Sequence, residues 1–480
     1  MTLAFAWLLA WVAGTAVYCA FDTRRAAGWW TSAIGHGLVF GMLLAGAMAY
    51  FFAREDTAHA LRHAWLPLVV VAAIAAALAF WRRRAPVTTV VAKPRVERWK
   101  IILLAAGFLS VIYRGYLALR EILLRPTFPW DAWDAWAVKS KTWFLLGHYV
   151  PFVSAAHWID AAGTGDYTGP AWSYPAALAW VQIWFASAAG AWIEPLVNLP
   201  WLALWIGLLL AHYGQWRALG FSTLRAAAFA YVLASLPLLT VHVALAGYAD
   251  LWIATLFGFA VLAWMRWLLQ RDVNQLALAV ACVLVMPWLK LEGAVWMLMS
   301  IAVALACEMP RRARHVVMGA LAIVAAIVAT VGHIKLPLFG LGWVSIGWHS
   351  IEVPVIGTLS IAFHAKALGG AFSSLFLQPS WHLLWWLVPL VIAWRWREFR
   401  VSRALRCLGA LLVVSFAFLA FLFLFTDAAQ WAESYTAINR LVMHLVPPVI
   451  TLLALLLRDV PLPREPIHTA QSSAPHSSAA

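Results

Sequence analysis

Ile101-Ile102-Leu103-Leu104-Ala105-Ala106-Gly107-Phe108-Leu109-Ser110-Val111-Ile112-Tyr113-Arg114-Gly115-Tyr116-Leu117-Ala118-Leu119 is an apolar run with one charge, and it starts directly after a basic stretch from Arg82 to Lys100. Its length is close to the roughly 20 residues that cross a bilayer, and the Arg and Lys block marks the side it leaves. Similar runs recur from Leu3 to Leu457 between short polar breaks, about fourteen in all. The lack of strict polar and apolar alternation within them excludes a lipid-facing barrel.

Composition agrees. Hydrophobic residues make up 64% of the 480-residue chain and charged residues only 11%, with a mean hydropathy of +0.82. A soluble domain carries about a quarter of its residues as charges. The expectation is therefore an all-α polytopic membrane protein of about 13–14 transmembrane or half-spanning helices, with interfacial helices on its outer face. The first segment, Thr2 to Ala20, lacks a basic start and a good cleavage site, so it reads as a helix rather than a signal peptide. Cys19, Cys282, Cys307 and Cys407 fall in or beside apolar runs without metal-type spacing and read as core residues.

The formal net charge of +14 does not point to nucleic acid. Roughly two thirds of the Lys and Arg residues, from Arg24 and Arg25 to Arg458 and Arg464, fall in loops assigned to one side. The other side, with Glu194 counted there provisionally, is close to neutral. That is positive-inside bias. The topology it sets puts three polar features on the outer side: the loop Arg120 to Pro170 with Asp131 and Asp134, the turn Gly247-Tyr248-Ala249-Asp250, and Lys290-Leu291-Glu292. Three apolar stretches, Ala171–Trp192, Pro195–Ala211 and Ala226–Leu245, lie between Asp134 and Asp250, although two points on one side need an even number of crossings. One of the first two is expected to be half-spanning or re-entrant.

Four regions are expected. Residues 1–100 form a three-helix module and basic cytoplasmic loop, which looks like an addition to the core, and 101–335 form a membrane core with the outer loop 120–170. Residues 336–458 hold an outer segment and the C-terminal helices, and 459–480 form a disordered tail. The aromatic stretch Lys335 to Gln378 is expected to lie on the membrane as short interfacial helices. At 100° per residue, Trp133, Trp136, Trp143 and Phe144 share one arc of a helix, and Asp131, Asp134, Val138 and Lys141 share the opposite one.

Each polar residue also has a plain structural reading. Asp131 can cap the helix after Pro129 with Asp134 in its first turn, and Asp250 can cap another helix. Lys290 and Glu292, between Pro287 and Gly293, can pair with each other in a tight turn, and Arg440 can snorkel to the interface.

From about Ile101 to Leu457 the order of these features resembles the GT-C class of membrane glycosyltransferases, relatives of the aminoarabinose transferases and protein O-mannosyltransferases. The matching pieces are Trp130-Asp131-Ala132 followed by Trp136, Lys139 and Lys141; Tyr174-Pro175; Gly247-Tyr248-Ala249-Asp250-Leu251; Lys290-Leu291-Glu292-Gly293; and Arg440 followed by His444 and Pro447. The resemblance implies an inverting glycosyltransferase using a polyprenyl-phosphate-linked sugar on the outer face of the membrane, in a bacterium the periplasmic side of the inner membrane. The acceptor would be an envelope glycan, lipid or protein. It implies catalytic roles for Asp131 and Asp250. Asp134 has no settled counterpart, and Ser173 stands where relatives often have an acid or histidine, which weakens any metal site built there.

The residue types suit that chemistry. A carboxylate stabilises an oxocarbenium-like transition state or takes the acceptor proton. Lys290, Arg440, Lys139, Lys141 and Arg114 are candidate partners of the donor phosphate. Glu292, Tyr174, Tyr248 and Trp136 are candidate substrate contacts. A divalent cation could replace some of the cations, although His349, His364 and Glu352 lack ligand spacing. A transporter or flippase of a lipid-linked saccharide is the alternative, against which stands the absence of an evident inverted repeat.

Overall fold

The structure, a computed structural model, describes residues 3–82, 97–161, 163–338, 342–353, 357–458. Most of the basic loop after Arg82 and the tail from residue 459 lie outside the described residues. The chain starts with α1 (Leu3–Phe21), α2 (Trp29–Phe52), α3 (Ala60–Trp81) and α4 (Arg98–Leu124). α5 (Val138–Leu146), β1 (Phe152–Val153), α6 (Ala155–Asp160) and β2 (Tyr167–Thr168) build the loop that follows. Next come α7 (Ala177–Ala189), α8 (Glu194–Ala218), α9 (Thr223–Ser235), α10 (Pro237–Ala244), α11 (Asp250–Gln270), α12 (Val273–Val285), α13 (Leu291–Glu308) and α14 (Arg311–Val331). Among the described residues nine helices are long and apolar enough to cross a membrane, or ten if α9 and α10, bent by 60°, count as one span. The chain is an all-α polytopic membrane protein in its architecture, apart from two small sheets.

The parity of crossings has a geometric answer. α7 is only 13 residues long, and both its ends lie at the same end of the bundle. Just before it, the Tyr174 carbonyl accepts from Lys139 Nζ at 2.7 Å. Just after it, the Glu194 carboxylate accepts from Thr127 N at 2.8 Å and pairs with Lys141 Nζ at 3.2 Å. α7 therefore returns the chain to the side it came from, and α8 makes the crossing.

α1 and α2 pack closely on the rest of the bundle through small residues. A Cβ at Gly41 would meet the Ala10 carbonyl oxygen at 2.0 Å, and one at Gly35 would meet Ala211 N at 2.4 Å. Such seams let backbones approach where no hydrophobic force separates helix from lipid. α11 and the last helix are the most enclosed spans, with 89% and 94% of their apolar windows buried. The candidate site is built on the first turns of these two helices.

Between His333 and Ser360 the described residues form four strands where interfacial helices were expected. β3 (His333–Leu338), β4 (Gly342–Gly347), β5 (Ser350–Val353) and β6 (Gly357–Ser360) form an antiparallel meander in that order. Ile334 pairs with Ile346, and Ile351 with Leu359. The physical cause is alternation: Leu336 and Leu338, Val344 and Ile346, and Ile351 and Val353 recur at a period of two, with β-branched residues common. Pro337 is tolerated because β3 is an edge strand. Helix resumes only at α15 (Ala365–Phe372), and the chain ends with α16 (Leu384–Trp394), α17 (Trp396–Val401), α18 (Arg403–Phe425), α19 (Ala429–Glu433) and α20 (Ile438–Leu456).

The Asp-Trp segment also departs from a plain helix. Residues Ala132–Ala137 form a π turn ahead of α5, so its side chains do not keep the 100° spacing. Trp133 turns outward beside Trp130, ring centroids 5.5 Å apart, whereas Trp136, Trp143 and Phe144 are buried. The four aromatic rings expected on one arc are divided by the extra residue of the wider turn.

Candidate functional site

One close backbone approach brings the polar segments together. Gly247 has φ of 114°, a conformation open to glycine, and a Cβ there would lie 2.5 Å from the Ala132 side chain. The turn before α11 can therefore press against the π turn carrying Asp131, while Pro287 and the turn of Lys290 arrive from α12.

Asp250, fully buried, is the hub. Its Oδ1 accepts from Lys290 Nζ at 2.8 Å and from His444 Nε2 at 3.1 Å. Its Oδ2 accepts from Arg440 through Nε at 3.0 Å and pairs with the second guanidinium nitrogen at 3.0 Å. The remaining fork nitrogen of Arg440, NH1, donates to Asp131 Oδ2. Lys290 Nζ also pairs with Glu292 Oε1 at 2.9 Å, and the Arg440 guanidinium lies 4.4 Å over the Tyr248 ring. Trp296 Nε1, a donor only, gives its proton to His444 Nδ1 at 2.9 Å, so the His444 proton sits on Nε2 and points at Asp250. Three carboxylates thus share two cations, in a setting where an unpaired charge is expensive.

Neither aspartate caps its helix. No side-chain cap bond is made by Asp131, and Asp250 is already inside the first turn of α11 with all its bonds going to cations and His444. Asp131 keeps contact with solvent, its side chain 41% exposed, so its edge away from Arg440 is open to a substrate. Asp134 has no ion pair among the described residues, and burial, then the Asp131 charge, raises its pKa above the ordinary carboxylate value.

The candidate phosphate partners divide. Lys290 and Arg440 belong to the cluster but already serve carboxylates, so a phosphate would meet them within an ion-pair network rather than as free cations. Lys139 is not free to meet a phosphate. It is buried and donates to the carbonyls of Ala171, Trp172 and Tyr174 at 3.0, 3.1 and 2.7 Å, and burial pushes its pKa down to about 8. Its three protons fasten the approach to α7. Lys141 is tied to Glu194 on the surface, and Arg114, part-way along α4, makes none of the cluster's contacts.

The candidate substrate contacts border the cluster. Tyr248 lies under Arg440, and its carbonyl accepts from Trp201 Nε1 at 2.7 Å. Trp136 meets Tyr174 edge to face, ring centroids 5.5 Å apart. Burial, then the Glu292 charge, raises the Tyr174 phenol to about 12. Glu292 Oε2 and Trp136 Nε1 are both buried without a hydrogen-bond partner among the described residues, so each is available to a polar ligand.

Sequence reasoning gave His444 and Trp296 no role. Arg440 and His444 stand four residues apart, on one face of α20, and that spacing was the available signal. A second polar chain behind the site also went unread: Ser140 Oγ donates to Gln182 Oε1 at 2.6 Å, Gln182 Nε2 to Asn198 Oδ1 at 3.3 Å, and Asn198 Nδ2 to Thr127 Oγ1 at 2.7 Å.

Among the described residues no three His, Cys, Asp or Glu side chains converge as ligands, and Asp250 has both its oxygens committed. Comparison with protein-family models, curated proteins and solved structures finds no match to this chain.

Proposed function

We propose that the protein is a GT-C-like inverting glycosyltransferase of a bacterial inner membrane, its nine or ten long apolar helices among the described residues supplemented by shorter ones that reach only part of the way across, which together correspond to the 13–14 segments expected. In this reading its charged cluster faces the exterior and takes a sugar from a polyprenyl-phosphate donor to an envelope glycan, lipid or protein. The observation that carries the reading is Arg440 bridging the buried Asp250 and the accessible Asp131 at the end of the two most enclosed apolar helices. A transferase using a membrane-bound anion needs fixed cations, an accessible carboxylate and a headgroup-level cleft in one place.

The roles follow from the contacts. Asp131, or the unpaired Asp134 beside it, takes the acceptor hydroxyl proton as the acceptor oxygen bonds to the anomeric carbon. The bond from that carbon to the phosphate oxygen breaks with its electron pair, and the polyprenyl phosphate leaves toward Arg440 and Lys290. Asp250 is a positioning residue: it holds both cations and is itself held by His444. Glu292 Oε2 and the Tyr174 hydroxyl offer hydrogen bonds to the sugar.

The test is a glycolipid and glycan comparison of cells with and without the gene, followed by transfer from the identified donor by protein in vesicles. Product formation that is lost in Asp131→Asn upholds the reading. Movement of an intact lipid-linked saccharide across the vesicle bilayer, with no glycosyl product, would replace it with a flippase.

A further inference from the structure

Arg440 serves its two carboxylates unequally. Nε and NH2 both face Asp250 Oδ2, at 3.0 Å each, and the guanidinium lies 4.4 Å over the Tyr248 ring. These contacts belong to the fold, because Asp250 is fully buried and is also held by Lys290 and His444. NH1 alone serves the accessible carboxylate, Asp131. Asp131 can give that contact up without disturbing anything else: among the described residues Arg440 is the only group it bonds, and it makes no cap bond to the π turn. Exposure runs the same way. The side chains of Asp131 and Arg440 are 41% and 17% exposed, those of Lys290 and Asp250 3% and 0%. An anion arriving from the aqueous side therefore meets the Asp131 pair before either pair made by Asp250.

We propose that this pair exchanges partners during the reaction: the donor phosphate takes NH1 of Arg440 from Asp131, and the carboxylate so released accepts the proton of the acceptor hydroxyl. The inference rests on the transfer reading above and adds an order to it, donor before proton transfer. Phosphate and carboxylate compete for the same charge-assisted N–H bonds of a guanidinium. With Nε and NH2 turned to Asp250, a phosphate grip has to include NH1. Keeping Asp131 there as well would set two anions side by side in a partly buried site, where their repulsion is strong. The exchange frees Oδ2 of Asp131, which until then accepts from Arg440. Arg440 need not move, since Asp250 and Tyr248 hold it throughout. After transfer Asp131 carries the acceptor's proton and the leaving phosphate carries a second negative charge, so the phosphate stays on Arg440. Loss of that proton to water restores Asp131 as a competitor, and it regains NH1 as the polyprenyl phosphate leaves.

The experiment measures binding of a radiolabelled polyprenyl monophosphate to the full chain in nanodiscs, with the polyprenol of the same length as the second arm. Removing a competing anion should tighten the hold on phosphate. Asp131→Asn and Asp131→Ala should each bind the monophosphate about tenfold more tightly than the parent, as loss of one competing charge-assisted bond implies. Polyprenol binding should not change. Asp134→Asn removes a neighbouring charge that has no ion pair with Arg440, and should shift monophosphate affinity by less than about twofold. Unchanged or weaker monophosphate binding in both Asp131 variants overturns the inference, and so does equal tightening by Asp134→Asn or equal tightening for polyprenol. Tighter binding in both variants, with no sugar product from any lipid-linked sugar, upholds the exchange of partners while the transfer reading falls. Sugar transfer by the parent, with monophosphate affinity unmoved in the Asp131 variants, overturns the exchange and leaves transfer standing.

Discussion

Asp131→Asn and Asp250→Asn should fail in different ways, because one carboxylate faces the cleft and the other holds the cluster together. Asp250 is buried and accepts from Lys290, His444 and Arg440. Asn retains one acceptor oxygen but turns the other into an NH₂ that faces a cation and removes the charge that balances two buried ones. Breaking one side of a buried ion pair costs about 3–5 kcal/mol, and here two pairs lose the same partner. Asp131 is 41% exposed and contacts only Arg440 of the two cations, so its loss should cost no more than about 1 kcal/mol of stability. Thermal unfolding in detergent, paired with a transfer assay, separates the two. Asp131→Asn should unfold near the parent temperature and lose about a hundredfold or more in turnover. Asp250→Asn should unfold well below it, and its activity should recover little even under stabilising conditions. An Asp250→Asn protein as stable as the parent would refute the hub assignment. Equal destabilisation by the two variants would show that exposure does not separate their roles.

Other outcomes follow from single contacts. Gly247→Ala must place a Cβ against Ala132 at a φ that L-residues avoid; it should cost about 1–3 kcal/mol and separate Asp131 from Asp250, read as lowered unfolding temperature with reduced activity. Lys139→Met leaves three carbonyls without their donor and should cost about 1–3 kcal/mol, detected as faster proteolysis around residues 171–174. For Asp134 the folded pKa is raised, so its contribution to stability is fully present below the unfolded value of about 4 and is lost as pH rises through the folded one. Asp134→Asn should therefore be the more stable protein at neutral pH, with the gain vanishing below about pH 4, measured as unfolding temperature against pH.

The helices and the common location of Asp131, Asp250, Lys290 and Arg440 were legible because both depend on long-period signals. Apolar run length marks a span, and charge asymmetry marks which loops share an end. What escaped depends on distances that topology does not contain. The pairing of Lys290 with Glu292 was legible from their shared turn, but the meeting of Arg440 and Lys290 with Asp250 was not, because nothing in the spacing between Asp250 and Arg440, 190 residues apart, says their side chains meet. Lys139 read as a phosphate partner because nothing in its spacing says that its ammonium meets the carbonyls of Ala171, Trp172 and Tyr174. The sheet at 333–360 was masked by its aromatic content, although the alternation of Val344, Ile346, Ile351 and Val353 was there to be counted.

α11 connects two buried charge networks, and that bears on whether this fold can work by large motion. At its first residue Asp250 binds Lys290 and Arg440. Near its last turn Arg266, also buried, bonds Asp22 of the N-terminal part at 2.6 Å and Gln215 of α8 at 3.1 Å. Asp22 also accepts from Tyr18 at 2.6 Å, and Gln215 donates to Tyr18 at 2.9 Å, so that network is closed on itself. The two networks lie some 16 residues apart on one helix, roughly 24 Å. Through them α11 is fastened to α1 and α8 at one end and to α20 at the other. Alternating access that parted α11 from α1 and α8, or from α20, would have to break a buried pair, at about 3–5 kcal/mol each. A catalyst needs no such motion and gains from a fixed array of charges. The arrangement therefore weighs toward transfer over transport, and a double-mutant cycle on Asp22 and Arg266 would test it. A coupling energy of several kcal/mol in thermal unfolding is expected, and additive single effects would show that the basic end of α11 is free to move.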